Sequence, residues 1–162
     1  MKSYLAGLGA VLAVAVLAFA STPAAAAATT ISDPAAFVQG VYARLAKGGD
    51  YSPPEDIYTP RLAALWALEA REARGEVGRI DFLFWIDGQD GTPSDVHLRT
   101  VPVEGRADHR IVVATFKNGD HAEDLRFYFQ YSKAGWKLDD VVDVKGPSPW
   151  TLSVILKYGW VD

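Results

Sequence analysis

Cysteine is absent from this 162-residue chain. A lipid-anchored envelope protein needs a cysteine at its cleavage site and a disulfide framework needs pairs, so packing alone must hold the fold. Long apolar runs are nearly absent too. The one candidate, Leu5 to Ala20, is shorter than the ~20 residues of a spanning helix, and no second run follows, which argues against an integral membrane protein. Charge of one sign is also missing: the formal net charge is only -4, which speaks against nucleic acid or an anionic membrane surface as partner. Finally, there is no Gly-x-Ser-x-Gly elbow, no phosphate loop and no His-Glu-x-x-His helix, so no motif names a reaction or a cofactor.

The chain does carry a clear opening signal. Lys2 supplies a positive start, Leu5 to Ala20 an apolar core, and Ala24-Ala25-Ala26 a small-residue cleavage site. Residues 1–26 therefore read as a secretory signal peptide, 27–32 as a linker, and 33–162 as a single domain of the periplasm. Loss of Lys2 on cleavage makes the mature protein one unit more acidic.

Periodicity then divides the domain. Asp33-Pro34 and Thr59-Pro60 are cap-and-proline starts for two helices, the first carrying Phe37, Val41 and Leu45 on one face and the second Leu62, Leu65 and Trp66. Four segments rich in β-branched and aromatic residues follow, at 96–103, 110–117, 124–131 and 136–142, and the last three alternate. Turn signals at Asn118-Gly119 and Ala134-Gly135 predict an antiparallel meander. Residues 80–85 read as a short strand or an irregular segment. Ser148-Pro149 predicts the start of a short C-terminal helix that Gly159 stops. The expected class is α+β, with two N-terminal helices packed on one face of a curved antiparallel sheet.

Ile80-Asp81-Phe82, Asp87-Gly88-Gln89-Asp90, the run Gly135 to Asp140 and the run Leu152 to Leu156, in that order after two helices, resemble bacterial envelope proteins of the domain of unknown function 3828 family. The likeness spans most of the mature chain. The family carries an acidic residue and proline after its Asp-Phe pair, where this chain has Leu83-Phe84. The resemblance implies a nuclear transport factor 2-like fold, in which helices close a curved sheet into a cone with a pocket. That superfamily holds isomerases, dehydratases and non-catalytic binding modules, so the fold does not choose among them.

The segment Trp85 to Gly91 is the most distinctive local signal. Counted from Asp87, an EF-hand loop would need oxygen ligands at its third and fifth positions, glycine at the sixth and glutamate at the twelfth. The chain offers Gln89, Gly91, Thr92 and Leu98, so no calcium loop is expected there, nor a zinc site at His97, His109 and His121. The segment reads as a turn or as a contact surface in which Trp85, Asp87, Gln89 and Asp90 meet a ligand or partner. Two carboxylates fall on apolar faces. Glu69 lies beside Leu65 and Trp66 on the second helix, and Asp140 shares a strand face with Leu138 unless a bulge reverses the parity. Each reads first as a structural group, Glu69 ion-paired with Arg44 or another cation and Asp140 anchoring a nearby backbone or pairing with Arg99, and second as the acid-base residue of an enzyme. Aromatic residues from Phe82 to Trp136 either fill the core or line a pocket.

The leading expectation is a non-catalytic envelope domain that binds a protein or a small apolar ligand, with Arg99 beside the loop. The alternatives are an isomerase or dehydratase using Glu69 or Asp140, and an accessory subunit of an envelope complex.

Overall fold

The computed structural model describes residues 29–49, 51–146 and 148–160. The expected signal peptide lies outside them. Within them, three helices and a four-stranded antiparallel sheet make an α+β fold: α1 (Pro34–Leu45), α2 (Pro60–Ala73), β1 (Pro93–Val103), β2 (Arg106–Asn118), β3 (His121–Ser132), β4 (Gly135–Asp143) and α3 (Leu152–Tyr158), with a 3-10 turn at Glu55–Ile57. The sheet order is β1-β2-β3-β4. Its hairpins turn on Gly105, Gly119 and Gly135, all at positive φ, which is what a tight hairpin asks of a residue without a Cβ.

Both N-terminal helices start where the sequence says. Asp33 caps α1 through Ala36 N–H, Thr59 caps α2 through Leu62 N–H, and proline occupies the first turn of each. Tyr42 on α1 meets Phe116 and Phe127 of the sheet. Helices α2 and α3 contact each other, and each also contacts β4.

Two local expectations fail for the same reason. The C-terminal helix begins at Leu152, not at Pro149, because Trp150 is buried and its carbonyl accepts from Asp143 N–H at 3.0 Å, while Thr151 bridges to Val142. Pairing with an open strand edge outweighs the cap-and-proline signal. Ile31, within the expected linker, is likewise buried and bridges to Trp136. Together with Tyr58 opposite Leu138, these single bridges cover the outer edge of β4. Residues 80–85 form no strand; Leu83 makes one bridge to Gly88.

The decisive irregularity sits in β4. Tyr128 pairs with Asp140 and Phe129 with Leu138, so Asp139 is an extra residue. Such a bulge shifts every later side chain to the opposite face. Leu138, Val141 and Asp143 therefore share the buried side, and the simple alternation that puts Asp140 there does not hold.

Candidate functional site

The segment after α2 returns across the body of the domain, and its centre is Trp85, fully buried. Trp85 stacks on Phe127 at 5.1 Å and 19° and meets Tyr51 edge-on at 5.5 Å. Its carbonyl accepts from the Tyr42 hydroxyl at 2.8 Å. Beside it opens a cleft of about 450 Å³ between the chain before α2, one face of α2, and the segment 80–85. Tyr51, Tyr58, Trp66, Phe82, Phe84 and Trp85 line it, and Ala63, Ala67 and Ala70 leave room on the helix side. These alanines create the space: a larger side chain at any of them would fill it.

The polar character of the cleft is one-sided. The indole N–H groups of Trp66 and Trp85 are buried with no acceptor among the described residues. Burial raises the pKa of the Tyr51 hydroxyl against the pull of Arg44, and burial with the neighbouring Tyr51 and Glu55 holds Tyr58 higher still, so both phenols stay protonated. Two unmatched donors cost about 1–3 kcal/mol each, and both are closed off from solvent, so the cleft presents aromatic and aliphatic surface to a ligand. Glu55 also lines the cleft, exposed at its rim; no sequence pattern marks it, because it lies in a connector without periodicity.

The rest of the loop closes over the end of the sheet. Asp87 adopts the left-handed region at φ 51, which aspartate tolerates better than most residues. Its Oδ1 accepts from Trp150 Nε1 at 2.6 Å. Asn118, in the β2–β3 turn, donates to the carbonyls of Ile86 at 3.1 Å and Asp90 at 3.4 Å. Gln89 and Asp90 are exposed.

The predicted carboxylates are not brought together. Glu69 is buried but ion-paired with Arg79 at 2.8 Å, and it also accepts from the Arg79 backbone N–H. A Cβ on Gly78 would fall 2.1 Å from Glu69 Oε1, so the glycine is what lets that turn close on the carboxylate. Asp140 accepts from Ser153 N–H at 3.0 Å and from the Ser153 hydroxyl, and lies 3.3 Å from Arg61. Its bulge neighbour Asp139 accepts from Thr59 Oγ1 at 2.7 Å. The two aspartates thus fasten the starts of α2 and α3 to β4. Arg99 is exposed on β1 opposite Val113, one residue out of phase with Leu98 and Ala114. Neither Glu69, Asp140 nor Arg99 lines the cleft.

A different acidic group appears instead. Carboxylate oxygens of Asp87, Glu123 and Asp143 lie within 4.8 Å of one another. Glu123 stands opposite Phe116 on β3 and Asp143 opposite Leu125, so the β4 bulge puts the two on one face, two residues apart in register. Asp143 accepts from the backbone of Lys145 and Gly146. Burial, then the negative charges of Asp87 and Asp143, raise the pKa of Glu123, with His121 and Lys145 opposing weakly. Burial raises that of Asp87, the Trp150 hydrogen bond opposes, and Asp143 adds to the rise.

A raised carboxylate pKa means that the folded state holds its proton more tightly than the unfolded chain. The contribution of these groups to stability is therefore fully present below the ordinary value near ~4 and lost as pH rises through the folded value. Urea unfolding in the presence of chelator should show Glu123→Gln gaining on the parent protein as pH rises from 4 to 7. A pH-independent difference would contradict the electrostatic account of this cluster.

Among the described residues, no helix is long and apolar enough to cross a membrane. No family model, curated protein or solved structure matches the chain.

Proposed function

We propose that this protein is a non-catalytic binding domain of the bacterial envelope that takes a small, flat, apolar molecule. The observation that carries the reading is the open cleft lined by Tyr51, Tyr58, Trp66, Phe82 and Phe84, with room left by Ala63, Ala67 and Ala70. Apolar walls supply affinity, as they do in most small-molecule sites. The envelope location rests on the signal-peptide pattern of residues 1–26, and the cone-like architecture on the resemblance to the domain of unknown function 3828 family. A catalytic role for Glu69 or Asp140 has less support, because each carboxylate is engaged by its own cation and donors away from the cleft.

Ala67 lies on an exposed stretch of α2 at the wall of the cleft. Ala67→Trp should fill it with little effect on folding. Titration with the apolar acid 1-anilinonaphthalene-8-sulfonate should give saturable fluorescence enhancement with the parent protein and at least a tenfold weaker response with Ala67→Trp. Equal titration curves would remove the cleft as the binding site.

A further inference from the structure

We propose that Asp87, Glu123 and Asp143 form a binding site for a divalent cation of calcium size, which ties the loop after Trp85 to the ends of β3 and β4. This is independent of what the aromatic cleft binds. Three carboxylates converge to within 4.8 Å, from a loop, the beginning of one strand and the end of another. Convergence of acids alone is common on surfaces, but this group is not a surface cluster. Asp143 is 1% exposed and Glu123 is 7% exposed.

Glu123 carries the inference furthest. Its carboxylate points into the cluster, and among the described residues it has neither a hydrogen-bond donor nor an ion-pair partner. The two other buried acidic residues are matched: Glu69 has Arg79, and Asp143 has two backbone N–H groups. A side chain more than nine-tenths buried, whose carboxylate has no partner and faces two more of the same sign, is stabilised by a cation among them. His121 and Lys145 are the nearest positive groups, and neither pairs with it.

The geometry suits calcium. Oxygen ligands at 2.3–2.6 Å from one calcium ion stand up to about 5 Å apart, which these separations satisfy, whereas magnesium keeps most of its water and is bound through one or two carboxylates, so a set of three favours calcium. The three carboxylates supply at least three of the 6–8 oxygens that calcium takes, with both oxygens of Glu123 free, and water completes the shell. The hydrogen bonds from Trp150, Lys145 and Gly146 orient Asp87 and Asp143 while leaving lone pairs on their oxygens. Close packing favours the same arrangement: Gly146 approaches both aspartates, and a Cβ there would fall 2.6 Å from Asp143 Oδ2.

Trp150 provides the reporter. Terbium takes the oxygen ligands of calcium and luminesces when an excited indole lies beside it, and Trp150 is hydrogen-bonded to Asp87. The chelator-treated protein, excited through tryptophan, should show terbium luminescence that calcium displaces and magnesium displaces poorly. Calcium alone should raise the melting temperature by about 3–6 °C at ten times its Kd, with half-effect at about 10⁻⁴–10⁻³ M and reversal by chelator. Glu123→Gln keeps the shape of the side chain and relieves repulsion, so the apo variant should melt no lower than the parent protein, yet lose the calcium shift and the luminescence by at least tenfold. Trp150→Phe should lose the luminescence and keep a calcium shift. The proposal is overturned if millimolar calcium leaves the parent melting temperature unchanged, or if Glu123→Gln responds to calcium as the parent does.

Discussion

Trp85→Ala should lower the unfolding free energy by about 3–5 kcal/mol, the range found for removal of a buried tryptophan. The size follows from its position. Trp85 is fully buried and contacts Phe37, Phe84, Phe127 and Tyr51, so it joins α1, the sheet and the chain before α2 in a single aromatic cluster. Alanine would leave a void that rigid rings cannot collapse to fill. Urea unfolding should show a lower midpoint with an unchanged slope, since the unfolding surface is nearly the same. Trp85→Phe separates the packed ring from the indole N–H. It keeps a ring against Phe127 and removes the unmatched N–H, so the stability loss should be much smaller than with alanine. A phenylalanine variant as unstable as the alanine variant would mean that the indole N–H is matched in the fold.

Gly91→Ala should be the other strongly damaging change, at about 2–6 kcal/mol, from backbone strain of about 1–3 kcal/mol and the loss of two Asn118 hydrogen bonds of about 0.5–1.5 kcal/mol each. Gly91 has φ 128, a region side chains avoid, and its added Cβ would fall 1.9 Å from Asn118 Oδ1. Asn118 has nowhere to go without releasing Ile86 and Asp90. The two effects are distinguishable in a double-mutant cycle. Asn118→Ala costs its own hydrogen bonds but removes the clash, so the pair should be less destabilising than the sum of the singles. Simple additivity would place the whole cost of Gly91→Ala in the backbone. Either way, the Asp-Gly-rich loop is a fastened structural element and not a free turn.

The parts of this fold that are legible in the sequence are those with local causes. Asp33-Pro34 and Thr59-Pro60 start helices because capping and proline chemistry act within one turn. Asn118-Gly119 turns a hairpin for a comparable reason, although the asparagine also acts at long range. Its side chain reaches back to a loop some thirty residues earlier, which no local pattern records. The start of α3 departs from its cap-and-proline signal because Trp150 and Thr151 answer to the exposed edge of β4, again a long-range demand.

The candidate sites are harder to see. Strand parity puts Asp140 among the buried residues, but one extra residue at Asp139 hands that position to Asp143 and turns Asp140 toward Arg61 and α3. The same bulge hides the carboxylate cluster, because Asp143 comes to face Glu123 only after the parity change. Rejecting an EF-hand at Asp87 is sound as a statement about consecutive residues. It does not speak to ligands gathered from positions 87, 123 and 143. Glu69 faces inward as its helix periodicity requires, but its cation is Arg79, just beyond the end of its own helix, not Arg44. The aromatic residues read as core or cleft, and composition offers no means to choose. They are both: Phe127 is fully buried beneath Trp85, while Trp66 and Phe82 border open space.

The most direct test of the binding account is native mass spectrometry of the protein released gently from cells that make it at their ordinary level, beside the Ala67→Trp variant produced in the same way. The account predicts a discrete added mass of small-molecule size on the parent chain and its loss from the variant. A bare chain in both samples, or the same adduct on both, would contradict it.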